Sequence, residues 1–436
     1  LTSLDINATG ASTGSGNISI LGNIGADGTS GAGIVNIGNS NTGSITLGTS
    51  GTESEYFTTG AQTYDASLYY LNGTDPDFNA SSENIKFLDG VNGFNLAAAA
   101  DLTVDTGSGA DGDINISGNI IGVAGQTTTV TLEAGSGSVE IDGIIVNGSA
   151  GIGNVTIDGS GGVTIDGNIT TNGGNIDINE ATTFAGSTAL TTGGGSVDFA
   201  STINPSSAGR DLDISSGSGA VSIGGTIGGT LGFGSIDINN ASGTGTITLN
   251  DIGDTGTVGA TNTSRIGNDT TLNLTLAGTT YKTDAVTYTT KAGENIDLTG
   301  GADTTFTTSN DDITFGTGTV EMADGSNLII DTGTGGGAIE LPAGVMGTSS
   351  ENITLTAGTG NVTIGAIGTG SEIADVTITS TGTTTFNGDF IGGTLENTGP
   401  VIAGADINIG TGAVTFGGTL DSLNGSQAIT FNTPGF

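Results

Sequence analysis

Asn154-Val155-Thr156-Ile157 is followed by Val163-Thr164-Ile165 and then by Asn175-Ile176-Asp177-Ile178, with Gly, Ser, Asp and Asn filling most of the space between. Each phrase alternates branched apolar and polar residues between turn formers, which is the pattern of a short, half-buried strand. The same phrase recurs along almost the whole chain, at Asn17-Ile18-Ser19-Ile20, Asp113-Ile114-Asn115-Ile116, Ser235-Ile236-Asp237-Ile238, Asn352-Ile353-Thr354-Leu355 and Asp406-Ile407-Asn408-Ile409. Between residues 130 and 250 its copies start at Val130, Val139, Val155, Val163, Ile176, Val197, Leu212, Val221, Ile236 and Ile247. Equivalent phrases therefore return every ~21–26 residues, a period that belongs to solenoids. The expected fold is all-β: a parallel β-helix in which each rung touches only its neighbours.

Composition supports one repeat body, a single continuous rod, over 436 residues. Glycine is abundant, at 83 residues, but lacks the three-residue period of collagen. Alternation points Ile and Val inward and Thr, Asp, Asn or Ser outward. Gly, Asn and Asp are expected at corners, where a positive φ is often required. The net charge is −39, with Lys86, Arg210, Arg265, Lys282 and Lys291 as the whole supply of cations. Such a surface repels nucleic-acid phosphates and anionic headgroups, so neither is an expected partner, while divalent cations are attracted. The chain has no Cys, His or Trp and two Met, which removes most redox and transition-metal chemistry. No stretch approaches the ~20 apolar residues that span a bilayer. No signal peptide is visible. The chain opens on a repeat phrase, Ser3-Leu4-Asp5-Ile6, without a distinct cap, and reads as a mature or trimmed segment of something longer.

The texture breaks twice. Phrases lapse across 53–94, where Tyr56, Phe57, Tyr64, Tyr69, Tyr70, Phe78, Phe87 and Phe94 cluster, and more weakly across 265–291, which holds Tyr281 and Tyr288. The expected organisation is solenoid rungs over 1–52, an aromatic-rich insertion or modified rungs over 53–94, solenoid over 95–264, a weaker insertion over 265–291 and solenoid over 292–436. Ala97 to Ala100 could lengthen a short helical turn; little other helix is expected. Ala100-Asp101-Leu102-Thr103-Val104-Asp105-Thr106-Gly107 matches Ser326-Asn327-Leu328-Ile329-Ile330-Asp331-Thr332-Gly333, which suggests an internal duplication. If the aromatic clusters are surface platforms, Tyr56, Phe57, Tyr64, Tyr69, Tyr70, Phe78, Tyr281 and Tyr288 are the candidates for stacking on sugars or on a partner subunit.

The glycine-bounded run Gly167-Asn168-Ile169-Thr170-Thr171-Asn172-Gly173-Gly174-Asn175-Ile176-Asp177-Ile178 resembles the repeats of filamentous-haemagglutinin-like exoproteins, and Thr58-Thr59-Gly60-Ala61-Gln62-Thr63-Tyr64-Asp65 resembles a recurring unit of large β-strand-repeat proteins of that kind. The resemblance implies a right-handed β-helical body, export by a two-partner or autotransporter route, and a place on the outer surface of a bacterium. The amino-terminal secretion domain of two-partner proteins is not visible.

Chemistry is sparse. A polysaccharide lyase needs a base and cations to neutralise uronate charge, and five scattered cations supply these poorly. A glycosidase needs two carboxylates at a set separation, and 44 acidic residues allow that only by chance. Without histidine there is no ordinary serine or cysteine triad. The expectation is a protein that is not an enzyme. Asp111, Asp113, Asp311 and Asp312 offer oxygen ligands at short spacing for calcium, although neither cluster alone reaches six to eight oxygens. Thr127 to Thr129 and Thr383 to Thr385 would make an ice-binding face only if Thr-x-Thr repeated on one face of consecutive rungs. The chain reads as a cell-surface shaft segment of a large adhesin, its partners being itself, end to end or laterally, or host glycans. A self-assembling filament or sheath subunit is the alternative, and a phage fibre, tailspike or polysaccharide-binding β-helix a lesser one.

Overall fold

The computed structural model describes residues 1–6, 16–25, 31–96, 100–109, 112–122, 127–147, 152–369, 371, 373–410, 412–423, 425 and 428–431. The possible helical turn at Ala97 to Ala99 and the candidate ligand Asp111 lie outside the described residues. Those described are all-β without helix, coiled as a parallel β-solenoid with rungs of ~24 residues. They form two compact units, Leu1–Ser222 and Ile223–Phe436.

From Ile34 onward each rung of the first unit contributes three strands, so the unit has three faces. On one, Ser3–Ile6, Ile34–Gly38, Gln62–Asp65, Ile85–Leu88, Ile114–Ile116, Val139–Ile141, Val163–Ile165, Thr182–Phe184 and Ile203–Pro205 stack in chain order. A second runs from Glu53–Thr58 through Thr74–Ala80, Leu102–Asp105, Thr128–Glu133, Ile152–Asp158 and Ile176–Ile178 to Val197–Phe199. The third begins at Asn17–Ile20 and Ser44–Leu47, passes through Tyr69–Leu71 and Phe94–Leu96, and ends at Leu212–Ser215. The second unit repeats the arrangement, with one face running from Ser264–Ile266 through Val286–Tyr288 and Ile313–Phe315 to Leu420–Ser422. There the rungs shorten: Thr384 pairs with Val401 and Val401 with Leu420. The strand Phe390–Asn397 serves two partners, Ile407–Ile409 with its first half and Val414–Phe416 with its second.

Alternation explains the core. Ile85, Ile114 and Val139 are fully buried and stack in register on successive rungs, while Lys86, Asn115 and Glu140 between the apolar positions face outward. Each such Val or Ile stabilises the fold by about 1.5–3 kcal/mol relative to an exposed position.

The phrase's first letter has its own function. Asn or Asp just before the first core residue of a strand accepts a hydrogen bond from a backbone N–H one rung further on. Asn175 N donates to Asn154 Oδ1 (2.9 Å) and Ser196 N to Asn175 Oδ1 (3.0 Å). In the second unit Asn352 N donates to Asn327 Oδ1 (2.8 Å) and Asp375 N to Asn352 Oδ1 (3.1 Å). These side chains link rungs in addition to the strand ladders.

Corners use glycine for close approach as well as for φ. A Cβ on Gly118 would lie 2.4 Å from the Gly90 carbonyl oxygen, one on Gly143 2.3 Å from that of Gly118, and one on Gly167 2.2 Å from that of Gly143. Another corner is polar inside: the buried hydroxyls of Thr171, Thr192 and Ser216 each donate to the carbonyl of the glycine three residues on, Gly174, Gly195 and Gly219. The duplicated Asp-Thr-Gly corners match in detail. Gly107 and Gly333 both have φ 84°. Their N–H groups donate to Asp105 and Asp331, and buried Thr106 and Thr332 donate to the carbonyls of Gly112 and Gly337.

Candidate functional site

The aromatic stretches are built as rungs. Residues 53–94 supply two consecutive turns, and Tyr56, Tyr64 and Tyr69 sit directly over Phe78, Phe87 and Phe94 of the next, at centroid distances of 4.7, 5.0 and 4.5 Å. There is one stacked pair on each face. Edge-on contacts tie the pairs together, with Phe78–Phe87 and Phe87–Phe94 both at 5.0 Å. In the second unit Tyr281 stacks on Phe306 (4.9 Å) and Tyr288 on Phe315 (5.3 Å). Such pairs contribute about 0.5–1.5 kcal/mol beyond the area they bury.

This placement corrects the expectation of surface platforms. Tyr56, Tyr64, Tyr69, Phe78, Tyr281 and Tyr288 are at most 1% exposed and point into the core, where no partner can stack on them. The strand period decides it: neighbours along a strand point to opposite faces, so Phe57 and Tyr70 face outward instead. Phe57 is half-buried, with Gly31 lying against its ring, and Tyr70 is 39% exposed.

The buried hydroxyls are wired into the rungs. Tyr64 donates to Gln62 Oε1 (2.9 Å), and Gln62 Nε2 donates to the carbonyls of Tyr56 and Asn79 (2.7 Å each). Gln62 is fully buried, so this module joins two rungs from inside. Tyr69 Oη accepts from Ala66 N (3.0 Å) and lies within donating distance of the carbonyls of Tyr64 (2.9 Å) and Leu88 (2.5 Å). The fully buried Tyr288 hydroxyl has no partner among the described residues. Burial pushes the Tyr56 phenol up to about 12, against a lowering by the Ser54 side chain, and drives Tyr64, Tyr69, Tyr281 and Tyr288 upward. These phenols stay protonated and serve packing.

The calcium candidates are separated in their duties. Asp113 Oδ1 accepts from both N (2.9 Å) and Oγ (2.8 Å) of Ser138, and Asp312 Oδ1 accepts from Ala338 N (2.7 Å), so both act as cross-rung links. The Asp311 main-chain oxygen accepts from Thr308 Oγ1 (2.6 Å). Among the described residues no three acidic, His or Cys side chains converge as a metal would require. Carboxylates do meet pairwise: burial first, and a neighbouring carboxylate second, raise Asp65 beside Asp89, Asp177 beside Asp198 and Asp284 beside Asp311. Asp77 is raised by burial, then by Asp105, Glu55 and Glu53.

One acidic residue was missed by sequence reasoning. Glu351 is 1% exposed, and its carboxylate accepts from the N–H groups of Thr348, Ser349 and Gly325 and from the hydroxyl of Thr348, while the Ser349 hydroxyl lies closer to Asp324 Oδ1 (2.6 Å). Despite burial, these donors hold it down at about 2. The hint available in sequence is Thr348-Ser349-Ser350-Glu351, three hydroxyl residues ahead of a carboxylate at the start of a repeat phrase.

The threonine runs alternate between inside and outside: Thr128 and Thr384 are fully buried. A Thr-x-Thr array does occur on one face of the second unit, at Thr305 and Thr307, Thr354 and Thr356, and Thr377 and Thr379, but Ile329 and Asp331 occupy the rung between the first two pairs. No protein-family model, curated protein or solved structure matches the chain.

Proposed function

We propose that this chain is a non-enzymatic structural segment, the shaft of a large bacterial surface adhesin working outside the cell. The observation that carries the reading is the pairing of stacked core columns with cross-rung Asn and Asp links. Each rung is completed by its neighbours alone, so length is added without altering the fold. The side chains richest in chemistry support the same role: five of the six tyrosines fill the core, and Asp113, Asp312 and Glu351 hold backbone N–H groups. The outward Thr, Asn and acidic positions keep the faces hydrated and mutually repelling.

The test is the native polypeptide on intact source cells, sized on a denaturing gel and probed by surface proteolysis and an antibody to this chain. The expected result is a surface-accessible polypeptide many times longer than 436 residues. A native chain of about this length that polymerises would replace the shaft with a filament subunit. A chain shielded inside the cell would overturn the proposal.

A further inference from the structure

Five described residues other than glycine have positive φ: Asp75, Ser82, Asp89, Asn239 and Asn310. Asp75, at φ 49°, is the one followed by proline. Left-handed backbone is unfavourable for an L-residue, and the proline ring restricts the residue before it further. The strand register shows what forces it. Glu53 pairs with Thr74 and Ser54 with Pro76, so Asp75 is the extra residue of a β-bulge. Both sides of the bulge are anchored. Thr74 N donates to the Thr52 carbonyl (2.9 Å), and Phe78, two residues beyond Pro76, is stacked on Tyr56. Asp75 itself is exposed to water, and its Oδ1 accepts from Asp101 N (3.1 Å).

We propose that the Asp75–Pro76 bond is a self-cleavage site, broken in mild acid by the carboxyl group of Asp75. Oδ2 attacks the main-chain carbonyl carbon of Asp75, forming a C–O bond and a five-membered ring. The bond from that carbon to the Pro76 nitrogen breaks, and the nitrogen takes the carboxyl proton and leaves as a secondary amine. The resulting cyclic anhydride adds one water and opens to two carboxyl groups, so the net reaction is hydrolysis of one peptide bond. Scission releases the strain that the bulge imposes, which places the folded rung nearer the transition state than a relaxed chain. After cleavage the two pieces remain joined by the ladder between Glu53–Thr58 and Thr74–Ala80.

The full chain, held at about pH 4, where an ordinary carboxyl is half protonated, is followed by intact mass with circular dichroism as the check on folding. Fragments ending at Asp75 and beginning at Pro76 are expected, co-eluting natively and separating in urea. The folded chain should cleave about tenfold faster than the urea-unfolded chain, equivalent to about 1.4 kcal/mol. Asp75→Asn keeps an oxygen for Asp101 N and should abolish cleavage. Asp75→Glu, which would need a six-membered ring, should slow it strongly. Absence of the fragments, equal rates in folded and unfolded chains, or undiminished cleavage in Asp75→Asn would each overturn the proposal.

Discussion

Replacing Glu351 by Gln tests whether one buried carboxylate holds two rungs together. Its two oxygens receive four donors, the N–H and hydroxyl of Thr348 and the N–H of Ser349 on its own rung and the N–H of Gly325 on the rung before. Glutamine offers one acceptor and presents an NH₂ group to the remaining N–H groups, so at least one or two buried donors lose their partner at about 1–3 kcal/mol each. The depression of the carboxyl, which the same donors cause, corresponds to a similar figure. The carboxyl drops from its ordinary 4.5 to about 2, and at 1.36 kcal/mol per unit this is about 3 kcal/mol. Because ionisation is easier in the folded chain, the contribution is complete above pH 4.5 and is lost as pH falls from there through about 2. Native-state hydrogen exchange of the Thr348, Ser349 and Gly325 amides is the direct assay. About 3 kcal/mol corresponds to exchange roughly a hundredfold faster in E351Q near neutral pH. The difference from wild type in denaturant stability should shrink towards nothing near pH 2. Amides that exchange as slowly in E351Q as in wild type would refute the argument and leave packing alone holding the loop.

Two tyrosines should respond oppositely to loss of the hydroxyl. Tyr69→Phe takes the nearer acceptor from Ala66 N, leaving it the longer bond to the Leu88 carbonyl (3.4 Å), and should cost about 1–2 kcal/mol, whereas Tyr288→Phe removes an unpaired buried hydroxyl and should be neutral or stabilising in thermal unfolding. Gln62→Leu strands the hydroxyl of Tyr64 and takes a side-chain donor from the carbonyls of Tyr56 and Asn79, and a loss of about 1–3 kcal/mol is expected in urea titration. Asp77→Asn should stabilise the chain near neutral pH. The raised carboxyl of Asp77 binds its proton more tightly in the folded state, so stability declines as pH climbs from 3.8 through the folded value. The variant should flatten that decline, and because Asp77 is half-exposed the gain stays below about 1 kcal/mol; an unchanged pH profile would contradict the reading.

The strands were legible because their period is local. Alternation in Asn175-Ile176-Asp177-Ile178 marks the inward positions without reference to any other part of the chain, and the recurrence of such phrases implies that they stack. The duplicated Asp-Thr-Gly corners could likewise be read as text before they were seen as matching turns. Which way the aromatic rings face was not legible, for an equally physical reason. Tyr56, Tyr64 and Tyr69 break the Ile and Val phrase in sequence, yet they keep its inward parity, and what they pack against comes from Phe78, Phe87 and Phe94 one rung later. Nothing local distinguishes a ring that closes a core from one offered to a partner. The cross-rung role of Asn154, the bond from Gly325 to Glu351 and the bulge at Asp75 share this dependence on register. Local periodicity determined that the chain coils and which residues face inward. The tertiary stacking decided the rest, because rung length sets which residue lies above which, and the cross-rung hydrogen bonds, the stacked rings and the bulge depend on that register.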